Sequence, residues 1–291
     1  MPNQDNSIFF IIDGNALVYR SYYAFSQNNF VTSYGLNTSA IYGFTTILFD
    51  LIKREKPQYL AIAFDTPKPT WRHEEFSKYK STRPKQPETI TISLPYIKKI
   101  LDALRIKHYE LAGYEADDIV GTITNELKNK NINIYMMTPD KDYAQLVNEH
   151  TFIYKPTQHG YNILGITQVV EKWGISNVDQ VKDFLALQGD KSDNIPGING
   201  IGPKTAQKLL KKYGSLENII KNTDNLPDKI KHNFTDIDQI CLSKKLATIS
   251  TNVPINFNIE ECYFSGYDRQ KTLDIFTELE FLSLIKRYKI Q

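Results

Sequence analysis

Three apolar segments of strand length each run into an aspartate. They are residues 8–12 before Asp13, residues 59–64 before Asp65, and residues 132–137 shortly before Asp140. Mostly apolar runs of this length are typical of strands buried on both faces. The carboxyl ends of parallel strands lie along one edge of a sheet, where open α/β proteins keep their ligand sites. A single aspartate after a strand often only turns the chain, but three at one edge predict a shared site.

Helical patterns alternate with these apolar segments. The sequence predicts helices over 39–54, 88–104 and 116–129, and a short strand over 152–154. This alternation indicates an α/β fold with a central, largely parallel sheet flanked by helices. After residue 175 helical patterns dominate, over 178–188, 203–213, 236–249 and 270–288. We therefore expect an α/β region over 1–175 and a helical region over 176–291.

The composition excludes several classes of protein. Hydrophobic residues make up 41% and aromatic residues 12% of the 291 positions, which excludes a mainly disordered chain. No apolar run approaches the ~20 residues that a membrane-spanning helix requires, so we expect no membrane association. Two cysteines, Cys241 and Cys262, cannot form a disulfide framework and favour a reducing, cytoplasmic location.

A further group of acids, Glu115, Asp117 and Asp118, stands at the start of the predicted helix over 116–129. Acids are favourable in a first helical turn, but neighbouring charges ~4 Å apart repel by about 4 kcal/mol at an effective dielectric of ~20. Converging carboxylates therefore share protons or bind cations. Oxygen ligands without Cys or His favour Mg²⁺ or Mn²⁺ over Zn²⁺.

Basic residues are concentrated in two stretches, although the net charge is only +2. Residues 68–85 carry six basic and two acidic side chains, a net +4, and residues 201–213 carry four lysines and no acid. Basic stretches beside a set of acids indicate a protein that binds a polyanion, with cations held between the acids and the polyanion.

The second basic stretch follows a loop rich in glycine and proline. Gly200 and Gly202 allow a close backbone approach, and Pro203 suits a first helical position. Backbone amides at this helix start, together with Lys204 and Lys208, predict a phosphate-binding element.

At these residues the chain resembles the 5′-nuclease family, which includes the 5′→3′ exonuclease domain of bacterial DNA polymerase I, bacteriophage 5′ nucleases and eukaryotic flap endonucleases. The motifs that carry the resemblance are Asp13-Gly-Asn-Ala-Leu-Val-Tyr-Arg20, Ala63-Phe-Asp65, Arg72-His-Glu-Glu, Tyr79-Lys80-x-x-Arg83, Gly113-Tyr-Glu-Ala-Asp-Asp118, Thr138-Pro-Asp-Lys-Asp142, Gly189-Asp-x-Ser-Asp193-Asn-Ile-Pro-Gly and Gly200-Ile-Gly-Pro-Lys-Thr. The resemblance covers nearly the whole chain, and these motifs in family order are highly specific. Both a stand-alone nuclease and an excised domain remain open.

The resemblance implies two bound Mg²⁺ or Mn²⁺ ions and roles for nine carboxylates. The matching residues are Asp13, Asp65, Glu115 and Asp117 for the first ion, Asp140, Asp142 and Asp193 for the second, Asp118 close by, and Asp190, which matches an acid of the bacterial and phage members.

The resemblance also implies DNA contacts. Lys80 and Arg72 match basic residues that contact the scissile phosphate, and the ring of Tyr79 matches a platform for a terminal base. Arg20 and Arg83 are expected to contact phosphates, and residues 68–90 to form an arch over the site. A helix–two-turn–helix element (helix-hairpin-helix-like) over about 181–213 is expected to hold the duplex, with a K⁺ ion among its carbonyls; its contacts are Gly200, Gly202, Lys204, Thr205 and Lys208.

The implied fold is the PIN-like 5′-nuclease fold, and the implied activity is structure-specific. The expected enzyme is a 5′→3′ exonuclease and flap endonuclease that leaves 5′-phosphate and 3′-hydroxyl products during primer removal and DNA repair. Its substrates would be DNA with a 5′ end, nick or flap next to duplex, or an RNA primer–DNA hybrid. The resemblance further implies a monomer with a functional link to a DNA polymerase and a ligase.

Two other functions remain as alternatives. One is a DNA-structure-binding module without turnover, although a pure binder has no reason to keep nine carboxylates that repel DNA. The other is a phosphatase of the haloacid-dehalogenase type, because Asp140-Lys-Asp142 is an Asp-x-Asp after a strand. In that family the Asp-x-Asp motif follows the first strand. In this chain the first predicted strand is followed by Asp13-Gly-Asn15, which lacks the second acid.

Overall fold

The computed structural model describes residues 7–25, 30–157 and 160–290. It contains a six-stranded sheet in the order β3-β2-β1-β4-β5-β6, in which β1 to β5 are parallel and β6 is antiparallel to β5. The strands are β1 (Ser7–Asp13), β2 (Tyr59–Ala63), β3 (Lys107–Tyr109), β4 (Ile132–Met137), β5 (Thr151–Thr157) and β6 (Gly160–Leu164). The predicted α/β class with a largely parallel sheet is confirmed.

Strand order fixes where a site forms. β1 pairs with β2 on one side, with Ile12 opposite Ile62, and with β4 on the other, with Ile12 opposite Met137. Successive strands are therefore added on one side of β1 up to β3 and on its other side from β4 onward. Such a switch in strand order leaves a crevice outside the carboxyl ends of the strands. Asp13 is the last residue of β1 and stands at this crevice.

Thirteen helices are described around the sheet. They are α1 (Gly14–Phe25), α2 (Ser39–Glu55), α3 (Trp71–Glu75), α4 (Glu88–Ala103), α5 (Ala116–Glu126), α6 (Ile166–Trp173), α7 (Gln180–Gln188), α8 (Pro203–Tyr213), α9 (Leu216–Lys221), α10 (Asp228–Lys231), α11 (Ile237–Ala247), α12 (Arg269–Glu278) and α13 (Leu282–Tyr288). Short 3₁₀ turns cover Asp142–Leu146, Thr223–Asn225 and Ile259–Cys262. No helix within the described ranges is long and apolar enough to cross a membrane.

Alternate residues of β1 enter two hydrophobic clusters. Phe9 and Ile11 pack with apolar residues of α5, α7 and α8, whereas Phe10 and Ile12 pack with those of α2, α4, α12 and α13. The last two helices thus share a core with early helices, on the sheet face opposite α7 and α8. The division of the chain at residues 175 and 176 stays a prediction.

Two differences from the predicted elements have local causes. The helix predicted over 270–288 is two helices, α12 and α13, because the chain turns at Glu280, whose φ of 57° is left-handed. The edge strands β3 and β6 were not predicted. β3 has only three residues, and exposed residues in β6 remove the apolar signal.

Candidate active site

A pocket of about 320 Å³ opens at the carboxyl edge of the sheet. Five carboxylates, two basic side chains and one tyrosine are among the groups that line it: Asp13, Asp65, Glu115, Asp117, Asp140, Lys80, Arg83 and Tyr143. The acids come from the end of β1, the segment after β2, the start of α5 and the turn after β4. Acids as far apart in the chain as Asp13 and Asp140 thus line one space, as the strand ends predicted.

Backbone and hydroxyl groups hold the first two aspartates in place. The carboxylate of Asp13 accepts the N–H of Ala16 at 2.9 Å and the hydroxyl of Thr138 at 3.0 Å. The carboxylate of Asp65 accepts the N–H of Ala116 at 2.7 Å, at the first residue of α5. Asn15, which the sequence did not single out as a site residue, accepts the N–H of Asp65 at 3.0 Å. Asn15 therefore joins the start of α1 to the end of β2.

Burial makes these acids weaker than in water. It raises the pKa of Asp13 to about 7, and the nearby charges of Asp65 and Asp140 act in the same direction. Burial also raises the pKa of Asp65 and of Asp140, and it raises the pKa of Asp117 and of Asp142 well above the ordinary value. The protein therefore gathers carboxylates without supplying enough positive charge to keep them ionised.

Three acids at and beyond the turn after β4 differ in their hydrogen bonds and ion pairs. Asp140 accepts the N–H of Asp142 at 2.9 Å, while Oδ1 of Asp142 is buried without a hydrogen-bond partner. Asp190 forms an ion pair with Lys141 at 2.7 Å through Oδ2, and its Oδ1 accepts the N–H and the hydroxyl of Ser192 at 2.8 and 2.6 Å. Against the effect of burial, these bonds hold the pKa of Asp190 below its usual range. Asp190 thus orders the loop at the pocket's edge.

A basic segment lies across the acids. Lys80 contacts Glu115 at 2.8 Å and Asp193 at 3.9 Å, and Arg83 contacts Asp193 at 2.5 Å. The main chain of Lys80 is left-handed, with φ of 53°, and its N–H donates to the carbonyl of Asp193 at 2.9 Å. Lys80 and Arg83 therefore face the pocket, and their contacts with phosphates stay a prediction.

Tyr79 has a different environment from the predicted one. Its side chain is only 3% exposed, and its hydroxyl lies 3.0 Å from Glu115 and 3.1 Å from Asp193. A buried ring with an engaged hydroxyl offers no face to a nucleotide base. The structure corrects the stacking role expected for Tyr79 and makes it a support for two carboxylates.

Arg72 and Asp118 also depart from their predicted roles. Both are buried, at 1% and 0% exposure, and they bind each other through two hydrogen bonds. Asp118 further accepts the indole N–H of Trp71 at 3.1 Å and the N–H of Ser250 at 2.8 Å. With its oxygens so engaged, Asp118 has little capacity for a metal ion, and buried Arg72 does not reach a substrate. Arg72 and Asp118 lie 46 positions apart in the chain, so no local sequence pattern reveals that they pair.

The predicted duplex-binding element consists of α7, a tight loop and α8. Gly200 needs its left-handed φ of 72°, and α8 begins at Pro203. The N–H of Thr205 donates to the carbonyl of Gly202 within the first turn of α8. Lys204 and Lys208 are exposed on α8. Elsewhere, exposed Arg20 of α1 donates to the carbonyl of Thr157 at 3.3 Å.

The pocket suits divalent cations, although its acids surround the space and do not converge. Within the described ranges, no three His, Cys, Asp or Glu side chains form a closed metal site. The donors are all oxygens, and Oδ1 of Asp117 and Oδ1 of Asp142 are buried without partners. An unpartnered buried carboxylate oxygen is costly, so a cation that binds it restores the missing interaction. The residues present therefore fit Mg²⁺ or Mn²⁺.

Sequence comparison identifies two family models along the chain. The model described as 5′-3′ exonuclease, N-terminal resolvase-like domain, matches residues 8–174, and the 5′-3′ exonuclease, C-terminal SAM fold, matches residues 176–270. A 5′-3′ exonuclease of Aquifex aeolicus is 40% identical over 279 residues, covering 95% of this chain and 93% of that protein. DNA polymerase I of Bacillus subtilis is 37% identical over 281 residues, covering 95% of this chain. The chain spans about a third (32%) of that polymerase.

Solved structures share the fold. A bacteriophage T5 5′-exonuclease with bound divalent metal ions (zinc) superposes with a TM-score of 0.68 at 20% identity, covering 94% of this chain and 99% of that one. The catalytic core of Rad2 in complex with a DNA substrate superposes with a TM-score of 0.64 at 14% identity, covering 98% of this chain and 91% of that one.

Proposed function

We propose that this chain, which belongs to the 5′-3′ exonuclease family, hydrolyses DNA phosphodiesters at a 5′ end, nick or flap next to duplex. The observation that carries the proposal is the single pocket that Asp13, Asp65, Asp117 and Asp140 line together with Lys80. The T5 enzyme with metal ions and Rad2 with DNA are structural neighbours that support it.

Two Mg²⁺ or Mn²⁺ ions are the cofactors that we propose. Asp13, Asp65, Glu115 and Asp117 would hold the first ion, and Asp140, Asp142 and Asp193 would hold the second. When bound, divalent ions would supply an activated water and stabilise charge on the leaving 3′ oxygen. The raised pKa of Asp13, about 7, means that a cation must compete with a proton for this carboxylate.

Lys80 and Arg83 would bind the phosphate that undergoes cleavage. Both side chains are positively charged and line the pocket. Each contacts a carboxylate that would also attract a metal cation. A cation that neutralises Glu115 and Asp193 leaves these two side chains available to phosphate oxygens, where they stabilise developing negative charge. Tyr79 would hold the orientation of the two carboxylates during this exchange.

The substrate duplex would lie against α8. Gly200, Gly202 and Thr205 shape the start of this helix, whose exposed Lys204 and Lys208 suit phosphates. Carbonyls of the preceding loop would hold a K⁺ ion. Since these contacts address the backbone and not base edges, we propose recognition of DNA structure over sequence, with an RNA primer–DNA hybrid as a further substrate. Residues 68–90 would form the arch over the site.

The cellular setting follows from the substrate. We propose a cytoplasmic monomer that removes primers and trims flaps beside a DNA polymerase, because relatives that contain this region are named DNA polymerase I. A product with 5′-phosphate and 3′-hydroxyl ends is a substrate for a ligase.

Cleavage of a 5′-labelled flap with Mg²⁺ or with EDTA tests the proposal. We expect release of label only with the metal, and products that a ligase joins without further treatment. Flap, nick and single-strand substrates, each with Mg²⁺ and with Mn²⁺, then rank the activities.

Asp117→Asn should lower turnover at least 100-fold (on the order of the loss for an essential charge-stabilising group) while DNA affinity holds or rises. Asp238→Asn, at an exposed position of α11, is the matched control. Binding of the flap without cleavage by the unchanged protein would favour the non-catalytic DNA-binding module instead.

A further inference from the structure

Tyr143 is a buried residue of the pocket that the proposed chemistry has not used. It follows Asp142 in the 3₁₀ turn Asp142–Leu146 and lines the same space as Asp13 and Asp117. Its side chain is 1% exposed, and its hydroxyl has no hydrogen-bond partner. No sequence pattern marked it, because a single tyrosine in a short turn is usually a packing residue.

An unpartnered buried hydroxyl is unusual in a site so rich in acceptors. Buried polar atoms are nearly always bonded, and the hydroxyl groups of buried Tyr79 and Tyr154 are bonded to acids. Phenylalanine would fill the volume of Tyr143 without this cost. The hydroxyl oxygen therefore indicates a hydrogen-bond partner among the molecules or ions that bind in the pocket.

The chemistry of the partner follows from the surroundings. A tyrosine hydroxyl is ordinarily a neutral O–H up to a pH of about 10, and Asp13, Asp117 and Asp140 line the same pocket as Tyr143. A neutral hydroxyl both donates and accepts one hydrogen bond, which matches a water molecule that also faces carboxylates. Mg²⁺ keeps several of its waters when proteins bind it through carboxylates.

We propose that the Tyr143 hydroxyl is a positioning group for the hydration shell of the divalent cation in the acid pocket. It accepts a hydrogen bond from a water of that shell, and the same water also faces the carboxylates of the pocket. This orients the water without direct contact between the tyrosine and the ion. The inference rests on the proposed metal-dependent function. Groups that orient metal-bound ligands in this indirect way typically change metal affinity by about 10–100-fold when removed.

Thermal unfolding of Tyr143→Phe with EDTA and with saturating Mg²⁺ tests the proposal. Without metal, the melting temperature of the variant should equal that of the parent or exceed it by up to about 2–4 °C, because the variant lacks an unsatisfied buried group. With Mg²⁺, the upward shift in melting temperature should be smaller in the variant than in the parent. Electron paramagnetic resonance measures free Mn²⁺ during a titration of each protein. The affinity of Tyr143→Phe for Mn²⁺ should be lower than that of the parent by about 10-fold or more.

Tyr154→Phe is the matched control. Tyr154 is equally buried, at 3%, but its hydroxyl donates to Glu55 at 2.5 Å, away from the pocket. We expect this control to melt lower by the same amount with and without Mg²⁺, and to bind Mn²⁺ like the parent. If Tyr143→Phe behaves like the control, the hydroxyl has a partner within the protein and the inference is wrong. If the parent itself gains no stability from Mg²⁺ and cleaves no flap, the proposed function has failed instead.

Discussion

Arg72 and Asp118 form a buried, two-bonded ion pair, with Nη1 to Oδ2 at 2.7 Å and Nη2 to Oδ1 at 2.8 Å. Arg72 also donates to the carbonyls of Leu246 and Thr248, both at 3.0 Å. One guanidinium thereby joins α3, α5 and the end of α11. Because α5 begins beside Glu115 and Asp117, this pair fixes the helix that presents two pocket acids.

Removal of one partner should therefore act through stability. Arg72→Met leaves the Asp118 carboxylate buried without its counter-charge, and we expect a loss of about 3–5 kcal/mol in the free energy of unfolding. Arg72→Met combined with Asp118→Asn should be more stable than Arg72→Met alone, since the uncompensated charge is gone. Urea denaturation measures both variants.

A surface pair supplies the control for this measurement. Arg287 contacts Asp50 at 2.9 Å but is 52% exposed, so Arg287→Met should cost less than about 1 kcal/mol. An Arg72→Met protein as stable as the parent, yet slow to cleave DNA, would instead favour the phosphate contact that the sequence predicted.

The contrast between these arginines shows what sequence alone could predict. The positions of Asp13, Asp65 and Asp140 follow from strand ends, because a parallel sheet brings all such ends to one edge. The Arg72 side chain turns inward because it pairs with Asp118. The two residues come together only when α3 packs against α5. A basic stretch predicts charge but not which of its side chains turns inward, so the roles within residues 68–85 needed the structure.

Tyr79→Phe separates a stacking role from a supporting role. The variant keeps the ring but loses the hydroxyl that faces Glu115 and Asp193. We expect a loss of about 1.5–3 kcal/mol in unfolding free energy, which is typical of hydrogen bonds to charged groups. Turnover should fall with little change in DNA affinity, as steady-state cleavage and binding in Ca²⁺ would show. Full activity in Tyr79→Phe, together with weak DNA binding in Tyr79→Ala, would restore the stacking role.

The stability of the metal-free protein should fall as pH rises from about 4 to 7. The pKa of Asp13 rises from 3.8 in the unfolded chain to about 7 in the fold, so the folded state binds this proton more tightly. Its contribution is fully present below pH ~4 and is lost as pH passes 7, a change on the order of 4 kcal/mol. Asp65, Asp117, Asp140 and Asp142 act in the same direction.

Calorimetry in EDTA from pH 4 to pH 8 checks this dependence. Asp13→Asn should melt above the parent at pH 8, and the gap should narrow toward pH 4. Asp238→Asn, at an exposed position, should follow the parent throughout. A parent protein whose stability rises steadily from pH 4 to 8 would contradict the raised pKa of the pocket acids.

Duplex binding through α8 predicts a specific salt dependence. Lys204 and Lys208 are exposed, and each phosphate contact contributes roughly 0.9 to the slope of log affinity against log salt concentration. Lys204→Ala with Lys208→Ala should therefore weaken duplex binding and lower the magnitude of the slope by up to about 2. Fluorescence anisotropy of a labelled nicked duplex, in Ca²⁺ across a series of KCl concentrations, measures both quantities. Lys128→Ala with Lys130→Ala removes the same charge from exposed positions just before β4, at the amino ends of the strands and away from the acid pocket, and should leave the slope near that of the parent. Equal slopes for the two double variants would mean that α8 does not hold the phosphates, and that the duplex lies elsewhere on the protein.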